Sequence, residues 1–340
     1  MNGWLWALLS AASFSTEGLL ARLATGSGGA VPPVLAARYA LAALALWAAE
    51  WLRRARPAGG SPSAVQHPVH AGRGRRRGGR AGLELALAGV VGYAGTTLLL
   101  FASFARIPTS LAILLLYTYP AWVALGGHLL GTEPFTRRRG EALLLALSGT
   151  GLVAGATWGG GPGWGAGVLL ALGAALSNTV QMLLVDRALR AGLTPEGAAR
   201  RAVAWGLAAL LAVAAWTALG LPGAGGMRWT WSAGGPGGWT ARTWAAALAL
   251  GLLPTFLAVL ALTRSLERIG PGRTALVSTT EPLFALVWGV LLLGERLSAT
   301  QVLGAAVLLA GLAWLVRGEP EPGGSEAVDE AEGAGEAGSR

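Results

Sequence analysis

A stretch of this chain recurs at a constant offset of 162 residues, which limits the fold to one that two similar halves can build. The matched pairs are Arg106-Ile107 with Arg268-Ile269, Pro120 with Pro282, Glu133 with Glu295, and Gly149 with Gly311. The same offset relates Gly3 to Gly165 and Ala36-Ala37-Arg38 to Ala198-Ala199-Arg200. A constant period that spans most of the chain predicts two structural copies of one unit joined in tandem.

The composition places both copies in a membrane. Hydrophobic residues make up 53% of the chain and charged residues 13%, against the ~25% charged residues of soluble domains. The net charge of +9 comes from arginine alone, since lysine is absent. These arginines lie between apolar runs, which argues against a nucleic-acid partner. With no cysteine and only 3 histidines, we expect no disulfide, no metal site and no cofactor.

Ten apolar segments follow one another along the chain. They span residues 3–24, 31–52, 82–104, 108–130, 138–157, 164–186, 197–219, 241–263, 271–293 and 297–316. Each has about 20 residues, enough to cross ~30 Å of hydrocarbon as an α-helix. Because backbone groups in lipid must be paired internally, we predict an all-α membrane protein with ten transmembrane helices. A signal peptide is the alternative for the first segment, but Glu17 interrupts it and its start carries no arginine.

The placement of arginine predicts the orientation. With the N-terminus in the cytoplasm, loops that face inside hold 18 arginines and loops that face outside hold 4. This asymmetry favours a multi-pass protein of the cytoplasmic (plasma) membrane with both termini inside. Each copy has five segments, an odd number, so the copies enter the membrane from opposite sides. The prediction is two inverted five-helix repeats, an arrangement typical of secondary transporters.

The repeats are predicted to occupy residues 1–157 and 164–317. Residues 56–80 are rich in Gly, Pro and Arg, so we expect a disordered cytoplasmic loop whose arginines contact anionic lipid of the bilayer. Residues 318–340 are acidic with few large apolar side chains, and we expect a disordered cytoplasmic tail. Nothing in the sequence favours one oligomeric state over another.

The residues around the two matched prolines resemble a known family. The clearest stretch consists of Glu281-Pro282-Leu283-Phe284-Ala285-Leu286, Leu293-Gly294-Glu295-Arg296-Leu297-Ser298 and Gln301-Val302-Leu303-Gly304-Ala305-Ala306. In the first copy, the similar stretches are Pro120-Ala121-Trp122-Val123-Ala124 and Gly131-Thr132-Glu133, where Thr132-Glu133-Pro134 replaces Gly-Glu-Arg. Over about residues 3–317 the chain resembles the EamA branch of the drug/metabolite transporter superfamily. The resemblance implies ten helices, a central cavity and transport of small metabolites, often as efflux, and it implies no particular substrate.

Two carboxyl groups lie deep in the predicted membrane segments. Glu17 is residue 15 of the 22-residue first segment, and Glu281 is residue 11 of the 23-residue ninth. A charged side chain near the bilayer centre costs about 2.5 kcal/mol or more, which makes each a candidate for the substrate or proton pathway. The alternative is an acid paired with arginine for packing alone. Arg38, near the outer end of the second segment, either snorkels to the headgroups or attracts anionic cargo.

Polar side chains share a face on two helices that the repeat relates. Ser13, Thr16 and Glu17 have helical spacing on the first segment, and Asn178 and Gln181 have it on the sixth. We predict that these faces line one cavity; the alternative is hydrogen bonding between helices, worth about 0.6–2 kcal/mol per contact.

Three further residues are candidates by position. Tyr93 lies midway along the third segment, where it either stacks on an organic substrate or packs against neighbouring helices. Pro120 and Pro282 each remove one helix hydrogen bond. The result is either a bend that helps the helices rearrange or a static kink.

The predicted function is a secondary transporter that moves a small metabolite or drug-like solute, by efflux and alternating access. An intramembrane enzyme is disfavoured, because the sequence contains none of the common nucleophile, zinc or phosphate-binding motifs. A channel or a non-transporting membrane scaffold is the other alternative.

Overall fold

The computed structural model describes residues 2–26, 31–55, 74–104, 106–132, 134–154, 162–218, 238–293 and 298–316. All regular secondary structure in these ranges is helical, which confirms the predicted all-α class for this part of the chain. The α-helices are α1 (Gly3–Phe14), α2 (Glu17–Gly26), α3 (Val31–Ala55), α4 (Gly74–Leu87), α5 (Thr96–Phe104), α6 (Thr109–Leu116), α7 (Tyr119–Leu129), α8 (Arg137–Ala154), α9 (Trp164–Arg190), α10 (Pro195–Ala218), α11 (Ala241–Gly251), α12 (Ala258–Ser278), α13 (Glu281–Leu293) and α14 (Ala299–Val316). Two stretches, π1 (Ala88–Gly95) and π2 (Leu252–Leu257), have the wider π-helical winding.

Six helical stretches of the described residues are long and apolar enough to cross a membrane. They are Val34–Leu52, Arg80–Phe104, Leu111–Leu129, Trp164–Arg190, Pro195–Trp216 and Ala241–Ser278. Two shorter apolar helices, Glu281–Leu292 and Ala299–Trp314, follow them. Helix is present in all ten predicted segments, but ten crossings remain a prediction, because several segments consist of shorter helices in succession.

The predicted loop between the second and third segments is shorter than expected. Helix α4 begins at Gly74, so the prediction of disorder over residues 56–80 was wrong for its last part. Arg80 lies one turn before Glu84, with its Nε 3.8 Å from Oε1, a spacing that supports a helix. A helix can extend past the apolar layer when its long basic side chains reach the polar surface. Residues 56–73 and the predicted tail 318–340 lie outside the described residues.

The last helices of the two halves contact each other reciprocally. A Cβ atom placed on Gly149 of α8 would lie 2.7 Å from the carbonyl oxygen of Gly304 in α14. A Cβ atom on Gly311 of α14 would lie 3.1 Å from the carbonyl oxygen of Ala142 in α8. Both partners are related by the offset of 162 residues. Exchanged contacts of this kind are what a two-fold relationship between the halves produces.

The first helices of the two halves, α1 and α9, are related by a different offset. A Cβ atom on Gly3 would lie 2.5 Å from Cγ2 of Ile269, and one on Gly167 would lie 2.6 Å from Cγ2 of Ile107. Ile107 and Ile269 are 162 residues apart, whereas Gly3 and Gly167 are 164 apart. The structural equivalent of Gly3 is therefore Gly167, and the match to Gly165 predicted from the sequence was wrong.

The second helices follow the same corrected register. A Cβ atom on Gly251 would lie 3.2 Å from the carbonyl oxygen of Arg38, and one on Gly89 would lie 2.5 Å from that of Ala202. Arg38 thus corresponds to Ala202, and the predicted match to Arg200 was wrong. The second half is two residues shorter between its second and third helical segments, since Arg38 precedes Gly89 by 51 residues and Ala202 precedes Gly251 by 49.

Both matched prolines lie at a break between two helices. Pro120 is the second residue of α7, and Pro282 is the second residue of α13. Just before each break, the hydroxyl groups of Thr118 and Thr280 donate to the carbonyl three residues earlier, at 2.7 and 2.8 Å. Each proline therefore begins a new helix, where its missing N–H leaves no helical bond unmade, and does not bend a continuous one. The same carbonyl groups also accept the backbone N–H of these threonines, so each threonine closes the end of the preceding helix with two bonds.

Candidate functional site

A cavity lies between the two halves, beside the helix breaks and the two π-helical stretches. Together with its open mouth it contains about 910 Å³ of space not occupied by atoms. Its walls combine six aromatic side chains with hydroxyl, amide and charged groups from both halves. π-Helical turns and discontinuous helices are both frequent at functional sites, so this cavity is the candidate site.

One wall carries a buried arginine. The Arg38 side chain donates from Nε to Oγ1 of Thr255 at 2.6 Å, and from Nη1 to Oε1 of Glu17. The guanidinium carbon also lies 5.5 Å from the ring centre of Tyr39. Only 5% of Arg38 is exposed, so it does not reach the headgroups, and the snorkelling alternative is excluded. Arg38 joins α2, α3 and π2 at a single point.

The break before α13 places a second carboxyl group in the cavity. Glu281 is the first residue of α13 and lines the cavity together with Tyr117 and Tyr119, which flank the equivalent break before α7. The Tyr117 phenol lies within electrostatic range of the Glu281 carboxyl group. The Glu281 side chain also lies within electrostatic range of Glu17 and Arg38. Three ionisable groups of opposite sign therefore share one small volume.

The remaining wall is neutral and polar. Tyr93 lies in π1, and Asn178 and Gln181 lie one turn apart on α9; all three line the cavity. The Tyr93 hydroxyl is buried and has no hydrogen-bond partner among the described residues. An unpaired buried hydroxyl costs about 1–3 kcal/mol, which favours a ligand or solvent partner at this position.

Two of the predicted polar residues lie elsewhere. The hydroxyl of Ser13 donates to the carbonyl of Leu9 at 2.7 Å, and that of Thr16 donates to the carbonyl of Ser13 at 2.7 Å. Neither residue lines the cavity, because Ser15 and Thr16 form a turn that separates α1 from α2 and rotates the following residues. The structure therefore brings Glu17, but not Ser13 or Thr16, together with Asn178 and Gln181.

The two halves place different chemistry at equivalent positions of the cavity. With offsets of 164 residues in the first two helical segments and 162 in the others, the pairs are Glu17 with Gln181, Arg38 with Ala202, Glu281 with Tyr119, and Tyr93 with Thr255. In the first three pairs one member is charged and the other neutral. The fold is nearly symmetric here, whereas the charge is concentrated on one side.

Sequence reasoning missed several lining residues. The sequence left two roles open for Arg38, snorkelling and attraction of anionic cargo. Its charge is opposite to that of Glu17 on the neighbouring segment, and this could have indicated an ion pair. Thr255 becomes a candidate only when the repeat is used to transfer the position of Tyr93 by 162 residues. Tyr117 and Tyr119 lie three residues and one residue before Pro120, which the sequence had marked as removing a helix hydrogen bond.

The chemistry available in the cavity is binding and proton exchange. Among the described residues no three His, Cys, Asp or Glu side chains are grouped so that they could hold a metal ion. Carboxyl, guanidinium, phenol and amide groups can recognise charged and polar parts of a small organic molecule, and the aromatic rings can contact its apolar part.

The comparisons with known proteins agree with this architecture. The model of the EamA-like transporter family matches residues 1–155 and 165–317, which is nearly the whole chain. The protein belongs to this family of membrane transporters. No curated protein matches it. A solved structure titled "Crystal structure of protein" is similar at a TM-score of 0.68 and 21% identity, covering 92% of this chain and 96% of its own; this similarity concerns the fold alone.

Proposed function

We propose that the protein is a ten-helix secondary transporter that exports a small metabolite or drug-like solute across the plasma membrane by alternating access. The observation that carries the proposal is the cavity between the halves, where both helix breaks and both π-helical stretches meet three ionisable side chains. Broken helices at the interface of two repeats are the usual substrate site of secondary transporters.

The proposed topology is an inverted pair of five-helix repeats with both termini in the cytoplasm. Reciprocal contacts of α1 with Ile269 and of α9 with Ile107 support two halves related by a two-fold axis. The arginine asymmetry of 18 against 4 supports the orientation. The arginines of the cytoplasmic loops would then face anionic headgroups.

Glu17, Glu281, Asn178, Gln181 and Tyr93 are the proposed substrate and proton pathway. Glu17 and Glu281 supply acids that can exchange protons during the cycle, and the neutral residues supply hydrogen bonds. Ser13 and Thr16 act indirectly in this scheme, by shaping the turn that presents Glu17. Pro120 and Pro282 keep the two breaks open, since neither can donate a backbone hydrogen bond.

The test is flux measured with purified protein in liposomes. Currents on a solid-supported membrane, recorded over a panel of small organic solutes, should saturate with concentration and should be lost in Glu281→Gln. Glu141→Gln serves as a matched control, because Glu141 lies on α8 outside the cavity. Saturable flux that is equal in both variants would refute the assignment of the site, and no flux of any solute would favour a scaffold. Flux that does not saturate would favour a channel.

A further inference from the structure

In the part of the chain that the structure describes, the cavity contains two carboxyl groups but only one positively charged side chain. Glu17, Arg38 and Glu281 are the only Asp, Glu, Lys, Arg or His side chains that line it among the described residues. Arg38 is already bound to Glu17 and Thr255. Although Arg38 also lies within electrostatic range of Glu281, one guanidinium group cannot neutralise two carboxylates. An ionised Glu281 therefore needs a positive partner, because an unpaired charge inside a membrane protein is costly.

Aromatic rings line the same cavity as this carboxyl group. Tyr117 and Tyr119 line the cavity together with Glu281, and their ring centres are 6.4 Å apart. Phe14 and Phe101 add apolar surface elsewhere in the same cavity. A carboxylate beside several aromatic faces suits an organic cation, which the rings attract through their quadrupoles.

We propose that the substrate is a small amphipathic organic cation, a protonated amine or a quaternary ammonium compound. This inference rests on the proposed function and deepens it. The cationic group binds between Glu281 and the rings of Tyr117 and Tyr119, and the apolar part contacts Phe14 and Phe101. The unpaired Tyr93 hydroxyl forms one further hydrogen bond with a polar substituent of the substrate, either as donor or as acceptor.

The experiment uses four probes that share a phenyl ring and differ in charge: phenethylamine, phenylalanine, phenylpropionate and 2-phenylethanol. Benzyltrimethylammonium and tetramethylammonium complete the set as permanent cations. Binding to the full chain in detergent is measured by calorimetry and by thermal stabilisation, since a ligand of the folded state raises the unfolding temperature. The cations should bind saturably, and roughly tenfold more tightly than the other three probes.

Two variants separate the role of the site from folding. Glu281→Gln should abolish the preference for cations, and Tyr119→Leu should weaken cation binding without removing a charge. Glu141→Gln should bind like the unchanged protein. Tighter binding of phenylpropionate or phenylalanine, equal binding of all probes, or no binding of any cation would overturn the proposal. If cation binding fails but the protein still transports an uncharged or anionic solute, the transport function stands and only the assigned substrate class is wrong. Cation binding without flux of any solute would support the binding site and contradict the transport function.

A separate observation concerns one end of the helix bundle. At the start of α10, Glu196 accepts hydrogen bonds from Nη2 and Nε of Arg264 on α12, at 2.7 and 3.1 Å. One turn later, Nε of Arg200 lies 2.9 Å from Oε2 of Glu50 near the end of α3. Each guanidinium group also stacks on a tryptophan ring, at 4.5 and 4.8 Å. All four charged side chains are largely shielded from solvent, so water and salt screen these ion pairs less than surface pairs.

The equivalent positions at the other end carry no charge. By the offsets of 164 and 162 residues they are Pro32 for Glu196, Ala36 for Arg200, Ala102 for Arg264 and Ala214 for Glu50. Among the described residues, these two ion pairs therefore have no counterpart at the equivalent positions of the other end. In the proposed topology the two ion pairs lie at the cytoplasmic end.

We infer that these two ion pairs form a one-sided latch, which favours the conformation closed to the cytoplasm. Leu100 and Leu262 test it as a matched pair, because both line the cavity and are 162 residues apart. The protein has no cysteine, so Leu100→Cys and Leu262→Cys each give a single labelling site.

The latch predicts labelling of position 100 from outside and protection of position 262 from inside. The variant Glu50→Gln/Glu196→Gln should raise the labelling rate at 262 and lower it at 100, so that the ratio of the two rates changes roughly tenfold, the factor that loss of about 1.4 kcal/mol gives. The variant Glu196→Arg/Arg264→Glu exchanges the two charges of one pair and leaves Glu50 unchanged. Its ratio of labelling rates at 100 and 262 should be closer to that of the unchanged protein than the ratio of the double Gln variant. Unchanged labelling ratios in the double variant, or parallel changes at both positions, would overturn the latch.

Discussion

Replacing single glycines by alanine tests the register of the two halves. At Gly3 the new Cβ would lie 2.5 Å from Cγ2 of Ile269 and 2.9 Å from Cβ of Arg268, and at Gly167 it would meet the equivalent atoms at 2.6 and 2.9 Å. Overpacking of this kind costs about 1–3 kcal/mol. At Gly165 no atom lies within 4 Å, so alanine should stabilise the helix by about 0.5–1 kcal/mol.

Thermal unfolding of the detergent-purified variants, followed by size exclusion with fluorescence detection, measures the three effects. We expect lower unfolding temperatures for Gly3→Ala and Gly167→Ala, and an unchanged or higher one for Gly165→Ala. Gly18→Ala is the control, since Gly18 also has no neighbour within 4 Å. If Gly165→Ala destabilised the protein as much as Gly3→Ala while Gly167→Ala did not, the offset of 162 residues would hold throughout, and the assigned equivalence would be refuted.

Three further predictions concern topology and charge. Single cysteines at Thr132 and Ser298 should be labelled from opposite sides of the membrane if the repeats are inverted as proposed; labelling from one side would contradict this. Glu281→Gln keeps the shape of the side chain but removes its proton, so pH-dependent transport should be abolished while the protein remains folded; pH-dependent flux in this variant would rule out a proton site. Glu17→Gln should cost about 1.5–3 kcal/mol in unfolding free energy by removing a charged partner of Arg38. The double variant with Arg38→Met should recover part of that loss, and simple addition of the two effects would show that the pair is not coupled.

Much of the architecture was predictable, because apolar segment length and proline position are local properties of the chain. The offset of 162 residues correctly related both helix breaks and the reciprocal glycines of α8 and α14. It failed in the first two helical segments, where Ala36-Ala37-Arg38 matched Ala198-Ala199-Arg200 by chance. In a chain with 53 glycines and many alanines, short matches are frequent, and only contacts reveal a shift of two residues.

The candidate site was predictable in part. Five of the seven predicted pathway residues line the cavity, because depth in a segment and helical spacing can be read directly. Ser13 and Thr16 do not, since the turn at Ser15 interrupts the helical phase on which their prediction relied. The partner of Arg38 was not predictable in detail, because it depends on how α2, α3 and π2 meet in space.

The pattern of symmetry separates two requirements of a transporter. Backbone features repeat in both halves: the helix breaks, the π-helical stretches and the close glycine contacts. A protein that exchanges an inward-open for an outward-open state needs this equivalence, because each half must be able to adopt the conformation of the other. Side-chain charge does not repeat in the three charged positions of the cavity or in the two ion pairs of α10. Glu17 and Gln181 show the principle most clearly, since the two side chains have nearly the same shape and only one can exchange a proton. Under the proposed alternating-access mechanism, the repeated backbone would make two states accessible, and the unequal charges would decide which solute binds and which state is populated.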